Sequence, residues 1–159
     1  MFTRRRLVAN AGVFLTVALS GCTELSVFDS GPERVVKTYY SAIDDADSDA
    51  VNNVLHPDAS AYPIEQEYFD GMNLSIIEVA VEEQTVREVV EAERDNQNDT
   101  LEQVVASRNK QLEDYIQQIA ADAYAYVHVD LTIQQNNETT DEETTILTVK
   151  DDTEWLIAA

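Results

Sequence analysis

The chain holds one cysteine, Cys22, so no disulfide can form within it. Two histidines, His56 and His128, are too few to build a Cys/His metal set beside a single thiol, and neither a metal nor a cofactor is expected. Four glycines are scattered singly, which removes any glycine-rich phosphate loop, and no Ser/His/Asp signature is present. Basic residues number ten against 31 acidic ones, a net charge of −21 that would repel phosphates and excludes nucleic acid as a partner. Long apolar runs are also missing. The longest, Leu7 to Leu19, falls short of the roughly 20 residues that span a bilayer. No segment repeats.

What is present begins with an export signal. Arg4, Arg5 and Arg6 form a positive start, the apolar stretch follows, and Leu19-Ser20-Gly21-Cys22 closes it. An aliphatic residue, two small residues and a cysteine match the lipobox of bacterial and archaeal lipoproteins at every position. The resemblance implies cleavage before Cys22 and a thioether-linked lipid on its sulfur, consistent with the thiolate's nucleophilicity. Two acyl chains hold a protein stably where one does not. The expected location is therefore the outer face of the cell membrane, anchored through Cys22. Thr3-Arg4-Arg5-Arg6-Leu7-Val8 also resembles the twin-arginine export signal, which carries folded cargo.

All 31 acids lie after Cys22 and only seven basic residues do, so the exported part carries −24. A small domain is comfortable at a magnitude of about 2 to 8, and self-repulsion at −24 opposes compaction. The acids are spread evenly, with 8 in residues 22–60, 11 in 61–100 and 12 in 101–159, which is a whole-surface property rather than a patch for one basic partner. Screening at about 1 M salt, with a Debye length near 3 Å, would relieve it. With the lipobox and paired arginines, the chain resembles a haloarchaeal lipoprotein precursor.

Three parts are expected: a signal peptide over 1–21, a lipidated tether over 22–29 and one domain over 30–159. Ser30-Gly31-Pro32-Glu33 reads as a capping box opening a helix with Val35, Val36, Tyr39, Tyr40 and Ile43 at helical spacing. Asp44 to Asp49 breaks it, and a short helix with Val51, Val54 and Leu55 ends at His56-Pro57. Residues 58–72 read as irregular. Leu74 to Val81 reads as a strand with Ile77, Val79 and Val81 on one face. Thr85-Val86-Arg87-Glu88 caps a helix to about Arg94, and Thr100 with Gln103 caps a longer one carrying Leu101, Val104, Val105, Leu112, Tyr115, Ile116 and Ile119, with Arg108 interrupting the stripe. Ala125, Val127, Val129, Leu131 and Ile133 then alternate with Tyr124, Tyr126, His128, Asp130 and Thr132. Gln134 to Glu143 reads as a hairpin loop, followed by strands over Thr144–Lys150 and Glu154–Ala158. The order gives an α+β fold: N-terminal helices packed on a curved antiparallel sheet, with a helical insertion after the first strand.

The segment Val35-Val36-Lys37-Thr38-Tyr39-Tyr40-Ser41-Ala42-Ile43, then Asp47 to Leu55 and His56-Pro57-Asp58-Ala59, resembles the opening of nuclear-transport-factor-two-like domains. The close, a meander ending in Trp155-Leu156-Ile157, is similar too. The likeness covers about residues 30–60 and 122–159 and implies a cone, with helices in the concave face of the sheet. It departs over 83–121, where the helical stretch is longer than the family usually shows. Such cones host enzymes and pure binding modules alike, so fold does not fix function.

Candidate chemistry is sparse. His128 and Asp130 share a strand face, with Tyr124 and Tyr126 beside them, and would form a base–orienter pair if that face lined a pocket. The alternative is the solvent face of a half-buried sheet. With Tyr126 and Tyr40 they complete the pocket candidates, although Tyr39 and Tyr40 fit core positions. His56 suits a helix end, where it would meet the last carbonyls. Asp45-Ala46-Asp47-Ser48-Asp49 starts like a calcium loop, but Ala50 and His56 stand where glycine and glutamate are needed, so it reads as a capped turn. Asn73, Asn98 and Asn137 head glycosylation triplets, of which Asn98 and Asn137 fall in expected loops. The leading expectation is a non-catalytic binding or interaction module of the envelope, its partner an envelope protein or a small apolar ligand. The alternatives are a pocket enzyme or small-molecule receptor inside the cone, and a structural spacer.

Overall fold

The computed structural model describes residues 31–94 and 99–158. The expected signal segment with Arg4 and Arg5, the expected lipidation residue Cys22, the expected tether and Asn98 lie outside the described residues. The described chain is α+β, with four helices and a curled four-stranded antiparallel half-barrel sheet. In chain order come α1 (Pro32–Asp44), α2 (Ser48–Val54), β1 (Leu74–Gln84), α3 (Val86–Glu93), α4 (Leu101–Gln118), β2 (Ala123–Gln135), β3 (Glu138–Asp151) and β4 (Glu154–Ile157). The strands lie side by side in sequence order, with α3 and α4 inserted between β1 and β2.

Helix ends follow their caps. Thr85 and Glu88 exchange the reciprocal bonds of a capping box at α3, as Thr100 and Gln103 do at α4. Asp47 accepts from the Ala50 N–H at the start of α2, so the acidic segment is the capped turn expected of it. At α1 the expectation fails in part. Pro32 stands in the first turn, but the N-cap is Gly31, which has no side chain to bond the orphan N–H groups. Gln66 bridges the α1–α2 turn, accepting from the Ser48 N–H and donating to the Ala46 carbonyl. Asn52 pairs with the Ile64 backbone in both directions at 2.8 Å each, fastening the irregular 58–72 segment to α2.

The sheet is covered on both faces over part of its area: the face expected to meet solvent is buried under α3 and α4 at Tyr126, Leu147 and Val149, and stays open farther along at His128 and Asp130. On one side Val35, Val36 and Tyr40 of α1 and Val51 of α2 pack against Val127, Val129, Leu131 and Ile146. On the other, Val89 of α3 and Leu112 of α4 pack against Tyr126, Leu147 and Val149. The period-2 alternation of β2 and β3 sends neighbouring residues to opposite layers. Ile146, Leu147, Thr148 and Val149 are therefore buried in succession. The cause is the amphipathic stripe of α3 and α4, which must be buried against something.

Two strand details also differ. β1 carries a bulge, because Ile76 pairs Ile133 while Glu78 pairs the adjacent Thr132. The extra residue resets the alternation. Ile76, Val79 and Val81 pack on the α1 side, and Ile77, expected with Val79 and Val81, stands 56% exposed. Residues 134–143 are not a loop. β2 and β3 run on in register to Gln135↔Glu138, joined only by Asn136 and Asn137 at φ 52 and 68. A positive φ at both central positions matches the strand twist, and asparagine tolerates it.

Candidate functional site

The α1 side of the sheet leaves a groove of about 300 Å³ where the helix ends before the strands do. Tyr40 and Ile43 form one wall, and Ile76, Leu131 and Ile133 line the floor. Glu142 pairs Leu131 across β2–β3 and so shares its face, which brings a carboxylate to an otherwise apolar hollow, with Thr144 beside it. Asp44, the last residue of α1, accepts a 2.6 Å bond from the Ile76 N–H at the β1 bulge, which ties one wall to the floor.

Tyr40 is the one sequence candidate placed here. Its ring packs edge-on to Tyr39 at 5.3 Å. Burial first, then Tyr39 and then Glu142, push its hydroxyl up to about 12. A phenol held so high stays protonated near neutrality and offers a hydrogen bond rather than a base. Glu142 escaped the sequence reading because it sat in a supposed loop. The signal that could have placed it is Asn136-Asn137, which marks a two-residue hairpin and extends the alternation to Glu142.

His128 and Asp130 do not enter this groove. They lie on the opposite face, beyond the part covered by α3 and α4. His128 Nε2 is 3.3 Å from Asp130 Oδ1, and the two side chains are 26% and 58% exposed. Asp130 pairs Glu143 across the ladder, and one ligand atom from each of His128, Asp130 and Glu143 lies within 4.8 Å of the others. Tyr126 packs in the α3–α4 layer and also lines a second hollow there, apart from His128 and Asp130. Arg108, the break in the α4 stripe, belongs to the same region. The Tyr126 hydroxyl raises its proton affinity further, opposed by desolvation and aided by Glu93, to which it donates at 2.6 Å. This second hollow, of about 350 Å³, opens where the chain turns from β1 into α3 beside Tyr124 and Tyr126. Its walls include Glu83, Gln84 and Thr85.

His56 has a structural place, reached by another route than helix capping. The residue is 4% exposed, its N–H donates to the Ile157 carbonyl at 2.8 Å, and its Nδ1 accepts from the Asp58 N–H at 3.1 Å. Asn137 is exposed at the β2–β3 turn, and Asn73 is exposed just before β1. Among the described residues no helix is long and apolar enough to cross a membrane.

In comparisons with family models, curated proteins and solved structures, nothing matches this chain.

Proposed function

We propose that the protein is an exported, lipid-anchored binding module of the cell envelope. Its α1-side groove takes a small, mainly apolar molecule bearing a cationic or hydrogen-bond-donating end. The groove carries this reading. Its volume lies at the lower end of ligand pockets, and such pockets pair apolar walls with a few polar groups that orient the guest. Glu142 supplies the charge preference, and the Tyr40 hydroxyl and Thr144 supply orientation. The reading is non-catalytic: the imidazole–carboxylate pair stands on the other face, and Tyr40 is held protonated.

The cone of nuclear-transport-factor-two-like domains is part of the proposal. A first helix against a curled antiparallel sheet supports it, and so does the chain's close at Trp155-Leu156-Ile157. The anchor rests on Leu19-Ser20-Gly21-Cys22. Intact mass of protein extracted from membranes should show Cys22 as the lipidated first residue; Cys22 still joined to Gly21 would refute the anchor.

The groove is tested with full-length protein in high salt and the neutral apolar fluorophore N-phenyl-1-naphthylamine. Saturable, blue-shifted emission is expected. It should be abolished by Ile133→Trp, which fills the hollow, and displaced better by hexylammonium than by hexanoate. Emission that Ile133→Trp leaves intact would overturn the assignment.

A further inference from the structure

The outer face of the sheet holds a cluster that the groove does not use. β2 and β3 pair without a register break from Ala123↔Lys150 to Gln135↔Glu138. Within that ladder Asp130 stands directly opposite Glu143, and His128 lies two residues along the same face. Like charges placed directly opposite are destabilising. The described arginines of α3, its C-cap and α4 are engaged elsewhere: Arg87 with Glu91 and Glu102, Arg94 with the Asp99 carbonyl and Arg108 with Glu93. Two carboxylates thus face each other with an imidazole nitrogen turned toward them: Nε2 lies 3.3 Å from Asp130 Oδ1, and the three ligand atoms span no more than 4.8 Å.

We infer that His128, Asp130 and Glu143 form a binding site for a divalent transition cation of the zinc class. One nitrogen and two oxygen donors suit Zn²⁺ or Co²⁺, with bonds of about 2.0–2.2 Å. They do not suit Ca²⁺, which takes about 6–8 oxygens. A bound ion needs its donors roughly 3.3–3.6 Å apart, as bonds of that length at tetrahedral angles require. Exposed Glu143 and Asp130 can close the gap by rotamer change, while half-buried His128 stays on the rigid strand. Three protein donors leave a coordination position open to water or to an outside ligand. The ion would replace carboxylate repulsion by coordination and clamp β2 to β3.

The sequence hid this site because Glu143 is 13 positions from Asp130, and only the tight turn at Asn136-Asn137 folds the two together.

The test uses the full-length chain in high salt, which screens diffuse binding to the acidic surface. Zn²⁺ is titrated calorimetrically while the imidazole NMR signals are followed. The chain has only two histidines, so the two responses are separable. One equivalent of Zn²⁺ should bind, shifting the His128 ring signals and leaving His56 unmoved. Affinity should fall by about tenfold or more in His128→Ala and in Glu143→Gln, the range lost when a metal site's support is removed. The NMR readout needs no variant, so a misfolded variant leaves the wild-type result decisive. Unmoved His128 signals at saturating Zn²⁺, or equal affinity in a folded His128→Ala, would overturn the assignment.

Discussion

The groove makes its sharpest demand on Tyr40. Its hydroxyl is pushed from 10.0 to about 12, by burial first and then by Tyr39 and Glu142. The neutral phenol is the form the folded state favours. The folded value lies above the unfolded one, so the stabilisation is fully present below about pH 10 and is lost as pH rises through about 12. A shift of that size corresponds to about 3 kcal/mol if the group were wholly shielded. The ring borders an open groove, and water screens part of the effect, so about 1 kcal/mol is expected. Phenolate absorbance isolates it. The chain has seven tyrosines, and subtracting the titration of Tyr40→Phe from that of the wild type in high salt leaves Tyr40 alone. Urea unfolding at stepped pH gives the stability arm, where the wild type should lose more than Tyr40→Phe between about pH 10 and 12. Glu142→Gln should bring the Tyr40 titration down, by less than opening the groove with Ile133→Ala. A Tyr40 that ionises at its ordinary value in the folded protein, or that ignores Glu142→Gln, would refute the placement of the phenol and carboxylate in one hollow.

Asn52→Ala should destabilise by about 2–3 kcal/mol in urea unfolding, because it strips both bonds from the partly buried Ile64 backbone; a loss under about 0.5 kcal/mol would contradict the fastening role. The β1 bulge predicts opposite outcomes for neighbouring residues: Ile77→Thr should stay within about 0.5 kcal/mol, and Ile76→Ala should cost about 1–2. Glu88 sits below the usual carboxylate range because the Thr85 hydroxyl and then the Thr85 N–H bond it. The capping of α3 should accordingly persist above the unfolded carboxylate value and weaken as pH falls through the lower folded one, with Glu88→Gln flattening that acid limb of a helicity titration. Removing KCl should unfold the purified protein by circular dichroism, since −24 is then unscreened; full folding in low salt would end the salt-adaptation argument.

Local chemistry carried much of this molecule by itself. Thr85 with Glu88 and Thr100 with Gln103 are capping boxes because partners three residues apart meet wherever the chain turns helical. The apolar spacing of α1 and α4 and the alternation along β2 likewise follow from periods of 3.6 and 2. Charge is a property of composition, and the proposed export signal rests on residue order alone, so both are read without a fold. Tertiary structure decided what depends on partners far along the chain. Ile77 has the same side chain as Ile76, and only the bulge opposite Thr132 and Ile133 sends it to solvent. Tyr126 alternates like His128, yet α3 and α4 bury one and stop short of the other. Glu142 and Glu143 are adjacent acids, and pairing with β2 sends the first into the groove beside Tyr40 and the second outward to His128 and Asp130. Sequence sets which residues alternate; which face becomes core, groove or surface is set by which helix lands on it.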